Sequence, residues 1–295
     1  VISVGLATGL AAAAYGAMTE GLPTPDEVAA ASVQTFETTK IYDRTGQNLL
    51  YEVIDPNAGD RNWLSIEDMP EYVTCGTVAM EDRSFWTNPG FNTRGLARAF
   101  FNNLRGLPVQ GASSITQQVV KNTVIPLEER YVQDYGRKIK EILISVELTR
   151  LYPKEEILEW YLNTNLYGNL AYGIDAAARV YFGKSASALT LSEAATLIAI
   201  PQSPLLNPFD APEDAMDRRD LVLDGMVLHG CISSAEANTA RTQTWQLAER
   251  NERFDIQAPH FSLYVRRQLE EMFGAERVAG GWRLDGGKLW IHNAP

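Results

Sequence analysis

Arg137-Lys138-Ile139-Lys140-Glu141-Ile142-Leu143-Ile144-Ser145-Val146-Glu147-Leu148-Thr149-Arg150-Leu151 is the stretch on which the fold reading turns. Ile139, Ile142, Leu143 and Val146 recur at the i, i+3, i+4, i+7 spacing of one helix face. The spacing predicts an amphipathic helix with those four side chains inward. Around it, from roughly Asn62 to Leu247, the pattern stays mainly helical. Thr190 with Glu193 and Ser233 with Glu236 are capping boxes that start further helices. Thr24-Pro25-Asp26-Glu27 marks an earlier start, with Pro at the first helical position. Thr39 to Val53 reads instead as two short strands around a turn at Asp43-Arg44-Thr45-Gly46. Asn251 to Pro259 is polar and irregular and sets a boundary. The tail beyond it, with Gly280-Gly281 and Gly286-Gly287, looks β-like. The fold class expected is mainly α, with small β elements at the flanks.

The chain has 295 residues, 45% hydrophobic and 21% charged, enough for one large domain with appendages. A formal net charge of −11 argues against nucleic acid as a partner, because phosphate affinity needs a clustered basic surface. Three His and two Cys are too few for the common zinc sites. Cys75 and Cys231 are read as separate buried thiols in preference to a disulfide, which leaves the redox compartment open. Val1 to Thr19 carries no charge and nearly reaches the ~20 residues that cross a bilayer. We therefore expect residues 1–19 to be a truncated transmembrane anchor, with a buried Ala-rich helix or a signal core as the alternative.

Five ordered stretches carry the chemistry. Glu81-Asp82-Arg83-Ser84-Phe85 leads to Asn88-Pro89-Gly90-Phe91-Asn92. Gly111-Ala112-Ser113-Ser114-Ile115-Thr116-Gln117-Gln118 is followed by Lys121-Asn122. Arg137-Lys138-Ile139-Lys140-Glu141 is third, and KEEILEWYLN from Lys154 to Asn163 is fourth. Arg218-Arg219-Asp220-Leu221-Val222-Leu223 closes the series.

In these motifs and their order the chain resembles glycosyltransferase family 51, the peptidoglycan glycosyltransferase domain of class A penicillin-binding proteins. The stretches around Tyr172-Gly173-Ile174, Tyr181-Phe182-Gly183-Lys184 and Pro201-Gln202-Ser203-Pro204 share the resemblance. It implies a lysozyme-like helical fold and polymerisation of lipid II into glycan strands outside the bacterial cell membrane. The implied layout has residues 20–61 as a juxtamembrane linker with a hairpin and 62–250 as the glycosyltransferase domain. Residues 251–295 are then a linker towards a transpeptidase domain whose S-x-x-K, S-D-N and K-T-G signatures are absent here. Cell-wall assembly proteins are the further partners it brings into view.

Glycosyl transfer with a diphosphate leaving group has two needs. The acceptor hydroxyl must lose a proton to a general base. The diphosphate, already a weak base, needs positive charge and hydrogen-bond donors where its own charge develops. The resemblance makes Glu81 the base on the acceptor 4-hydroxyl, with Phe85 and Trp86 as apolar neighbours; from residue type alone it is an ordinary helix-surface Glu. It makes Glu141 the second essential acid, orienting basic side chains or a divalent cation such as Mg at the diphosphate. The plainer reading of Glu141 is a helix-surface ion pair with Arg137 and Lys138. No cofactor beyond that cation is implied, and no metal ligand set.

Arg137, Lys138 and Lys121 are candidates for the diphosphate. Ser114, Thr116, Gln117 and Gln118 are uncharged donors for sugar hydroxyls and phosphate oxygens, or else a polar loop and helix cap. Asn163, Arg218, Arg219 and Lys154 fall at positions more often structural. Asn88 stands where the family usually has His, and a holding role for that residue is the expectation. Gly95 to Gln110 mixes Leu96, Phe100, Phe101, Leu104 and Leu107 with Arg94, Arg98 and Arg105, which suits a surface dipping into an anionic membrane. The rival functions are a lytic transglycosylase or lysozyme-like enzyme that cleaves glycan, and a catalytically silent scaffold.

Overall fold

Local signals decide where the elements begin. In the computed structural model, residues 23–34, 39–43, 45–53, 60–105, 113–125, 135–249 and 259–273 are described. Among them the chain forms α1 (Pro25–Gln34), α2 (Glu71–Glu81), α3 (Thr93–Leu104), α4 (Ile115–Thr123), α5 (Tyr135–Leu151) and α6 (Lys154–Thr164). It continues with α7 (Ile174–Phe182), α8 (Leu191–Ala199), α9 (Pro212–Leu228), α10 (Ser234–Thr242) and α11 (Pro259–Phe273). The mainly helical expectation holds. So do the caps: Thr24, Thr190 and Ser233 each exchange hydrogen bonds with the Glu three residues on.

Strands β1 (Thr39–Tyr42) and β2 (Leu49–Val53) pair antiparallel, Ile41 opposite Tyr51, as the hairpin reading expects. Asp43 closes their turn, accepting from Thr45 Oγ1 and Asn48 Nδ2 at 2.7 Å each. Those donors hold its carboxyl below the usual carboxylate range. A second pair, β3 (Asp60–Arg61) with β4 (Ala171–Tyr172), is parallel and carried no sequence signal.

The chain divides into two compact units, Val1–Ala31 with Ser84–Ile157, and Ser32–Arg83 with Leu158–Pro295. In the first, α4 packs on α5 around Phe85, Ile115, Val119, Ile144 and Leu148. The inward face of α5 corrects the sequence reading. Glu141, Ile144, Ser145 and Leu148 are the buried positions, whereas Ile139 is 44% exposed. The helix has the expected period but a different phase. Hydropathy alone cannot place a buried Glu, which is tolerated here because two cations hold it, or a Ser whose hydroxyl donates to Glu141 O at 2.6 Å. Ser145 is also where the loop backbone lands: a Cβ on Gly90, at φ +102°, would lie 2.2 Å from Ser145 O.

In the second unit, α2, α8 and α9 pack together, burying Val73, Val78, Leu197, Ile198, Leu223 and Met226. The approach is close enough that a Cβ on Gly76 would meet Ile198 Cδ1 at 2.9 Å. Here a second expectation fails. Cys75 on α2 and Cys231, just past α9, form a disulfide with Cα atoms 5.7 Å apart. Their sequence separation of 156 hides the pairing, which arises only when α2 lies along α9. The Asn163 side chain accepts from Leu64 N and donates to Leu64 O, both at 2.9 Å, so that residue is structural as expected.

Helix α11 corrects the β-like reading of the tail over residues 259–273. The expected anchor (1–19), the glycine pairs at 280–287 and Leu107 lie outside the described residues. Among the described residues no helix is long and apolar enough to cross a membrane.

Candidate active site

The residues expected to carry the reaction fall into two groups, one in each unit. Glu81 ends α2 in the second unit and is half-buried. Gln202 Nε2 donates to its Oε1 at 2.9 Å. Tyr161 and Tyr167 are wholly buried nearby. Burial first, and the Glu81 charge second, pushes both phenols above their ordinary pKa, so each stays protonated. The donor that Gln202 brings to Glu81 is an uncharged amide.

The other group belongs to the first unit and is built on the first turns of α5. Glu141 is 2% exposed and pairs with Arg137, and with Lys138 Nζ at 2.9 Å. Lys138 also donates to Ser113 Oγ at 3.0 Å, joining α5 to the loop before α4. A buried carboxylate thus aims two partly exposed cations, leaving a net positive cradle. Ser113, absent from the expected set, had as its only signal its place beside Ser114.

The uncharged donors divide. Ser114 and Gln117 are buried and form the capping box of α4, with Ser114 N donating to Gln117 Oε1 at 3.0 Å. Ser114 Oγ also donates to Gly90 O at 2.6 Å, fixing the loop that follows the first motif. Thr116 is buried as well. Ser114 and Gln117 thus make the helix cap that was the alternative reading, with Thr116 buried between them in the same turn. Gln118 and Lys121 are half-buried on α4.

Asn88 makes the contacts that a holding role calls for. Its Oδ1 accepts from Gly90 N and from Lys154 Nζ, both at 3.0 Å. Lys154 lies over the Phe85 ring, 4.7 Å from its centroid, and Phe85 meets Trp86 edge-on. Arg219 is buried and donates to Gln243 O and Arg241 O, a structural post in the second unit. Leu96 and Phe101 on α3 are exposed apolar side chains. Among the described residues no group of three or more His, Cys, Asp or Glu is gathered as a metal site.

With this geometry in place, a model of the family described as "Transglycosylase" matches residues 47–227. Penicillin-binding protein 1A of Aquifex aeolicus is 41% identical over 206 residues, covering 69% of this chain and 27% of that protein. Penicillin-binding protein 1F of Bacillus subtilis is 34% identical over 252 residues, 85% of this chain and 34% of the relative. Penicillin-binding protein 1A of Mycolicibacterium smegmatis is 42% identical over 185 residues, 62% of this chain and 24% of its own length. The chain spans about a quarter to a third of the length of these relatives.

Proposed function

This chain belongs to the transglycosylase family, and from that premise we propose that it is a peptidoglycan glycosyltransferase polymerising lipid II into glycan strands. One observation favours this reading over cleavage of finished glycan: the Arg137–Lys138 pair held by buried Glu141. Cutting a sugar–sugar bond develops no diphosphate charge, so a hydrolase has no use for such a cradle. In the proposed step Glu81 takes the proton of the acceptor 4-hydroxyl. The oxygen so freed forms a bond to the anomeric carbon of the donor. The bond from that carbon to the polyprenyl diphosphate breaks, and the diphosphate leaves with its electron pair, its charge being the kind that Arg137 and Lys138 are suited to neutralise. Lys121 and Gln118 supply further donors.

Glu141 is already neutralised by two side chains, which argues that its task is aiming those cations. Among the described residues no set of carboxylates is gathered for a divalent cation such as Mg, and no step is drawn through one. The Cys75–Cys231 disulfide suits an oxidising compartment outside the cell membrane, where the substrate is presented. The exposed Leu96 and Phe101 with Arg94 and Arg98 suit contact with an anionic lipid surface.

The test is Glu81→Gln, which keeps size and hydrogen bonding but cannot accept the proton. Polymer formation from lipid-linked disaccharide should fall by roughly 10²–10⁴-fold with the melting temperature unchanged. Retention of more than about a tenth of the wild-type rate, or cleavage of finished glycan by the wild type, refutes the proposal.

A further inference from the structure

We infer that Gln202 is a positioning residue for Glu81, held in place by Arg218 and Asn207. The inference rests on Glu81 acting as general base and adds to that reading a fixed orientation of its carboxylate.

A Glu side chain has several rotatable bonds, and a base works only when its lone pair points at the proton it takes. Gln202 Nε2, donating to Glu81 Oε1 at 2.9 Å, sets the plane of that carboxylate. A hydrogen bond between two mobile, partly exposed side chains would hold little by itself, because both lose rotamer freedom to make it. What gives this one force is the backbone behind it.

Pro201-Gln202-Ser203-Pro204 connects α8 to the loop before α9 and is fastened at both ends. At its start, Arg218 Nη2 donates to Ala199 O, the last residue of α8, at 2.9 Å. Ser203 N then donates to Ile200 O at 2.8 Å, closing a turn over Gln202. At its end, Pro204 O accepts from Asn207 Nδ2 at 2.9 Å. Asn207 is itself buried and accepts from Phe209 N and Asp210 N at 3.0 and 3.1 Å. Gly168 presses against the same carbonyl, so that a Cβ there would stand 2.6 Å from Pro204 O. The two prolines remove much of the φ freedom that remains.

The loop is therefore rigid although the side chain at its tip is exposed. A contact of small value to stability is held by costly architecture, the mark of a part kept for geometry. It also gives Arg218, in the fifth motif, a route to the chemistry. The guanidinium fixes the loop, the loop fixes the amide, and the amide fixes the carboxylate.

Steady-state polymerisation of lipid-linked disaccharide by the full chain, across about pH 5 to 9, tests this with Gln202→Ala and Gln202→Glu. In Gln202→Ala, kcat should drop about tenfold or more, within the 10²–10⁴-fold worth of a general base. KM should stay within about threefold and the melting temperature should not move. In Gln202→Glu a second carboxylate beside Glu81 disfavours its ionised form, so the acid limb of the kcat profile should move to higher pH. With an active wild type, Gln202→Ala retaining kcat within about twofold, or losing activity through KM or stability instead, overturns the inference. So does an acid limb unmoved in Gln202→Glu. A wild type that makes no polymer overturns the functional reading itself, and this inference with it.

Discussion

Replacing both Cys75 and Cys231 by Ser removes the one cross-link described in the second unit, and its effect is open to calculation. The bond joins residues with a sequence separation of 156, so the reduced unfolded chain regains the freedom of a long loop. Loop-closure entropy for that length corresponds to about 5 kcal/mol at 25 °C. Removal of native disulfides costs ~2–5 kcal/mol in practice, so the entropic figure is a ceiling. For a domain of this size each kcal/mol moves the melting temperature by about 2–4 °C. A loss of about 10 °C is therefore expected. The cross-link anchors α2, the helix that ends in Glu81, so turnover at a fixed temperature near the new midpoint should fall as well. Thermal melts of the oxidised wild type, the wild type in excess dithiothreitol and the double Ser variant make the measurement. The second and third should melt together, below the first, and the variant should ignore the reductant. Three melting temperatures within about 1 °C, or two titratable thiols in air-oxidised wild type, would refute the reasoning.

Arg137→Ala and Lys138→Ala should each raise KM for the lipid diphosphate. The double variant leaves Glu141 buried without either cation and should lose about 3–5 kcal/mol of stability by chemical denaturation. Adding Glu141→Gln to it should restore stability but not turnover; a double variant as stable as wild type would show that Glu141 is not held by these cations. For Asn88→His, turnover should stay within about threefold, because Asn88 holds Gly90 and Lys154 and moves no proton. The Lys154 ammonium beside it disfavours an imidazolium, so any new ionisation should lie below the unperturbed value of about 6.5. Faster turnover with a new ionisation would assign that position a part in proton transfer.

What the sequence announced was whatever is decided within a turn or two of the chain. Ser233 finds Glu236, and Asp43 finds Thr45 and Asn48, with no help from the rest of the fold, so caps and hairpin were legible. The pairings that mattered most for the site are long-range. Gln202 reaches Glu81 across 121 positions, and no pattern in residue type marks it, except that two prolines bracket a polar residue in a short connection. Cys75 and Cys231 were misread for the same reason. Helix α11 was missed because Gly-rich sequence beyond it dominated the reading of the tail.

Glu141 shows why a residue's plain and functional readings need not compete. As a surface ion pair at i, i+3 and i+4 it would be worth a few tenths of a kcal/mol and would explain nothing. At 2% exposure the same pairing changes character, since an isolated carboxylate there would be strongly disfavoured and the two cations become obligatory. Obligatory partners are fixed partners. Arg137 and Lys138 cannot wander as exposed cations do, so their charge keeps one place on α5. The cradle carries one more positive charge than negative, enough to favour a dianion while the buried carboxylate prevents the cations from repelling one another apart. The hydropathy pattern misplaced the face of α5 because it treated Glu141 as a solvent position. The burial that broke the pattern is the burial that fixes Arg137 and Lys138 beside Glu141, as the proposed diphosphate site requires.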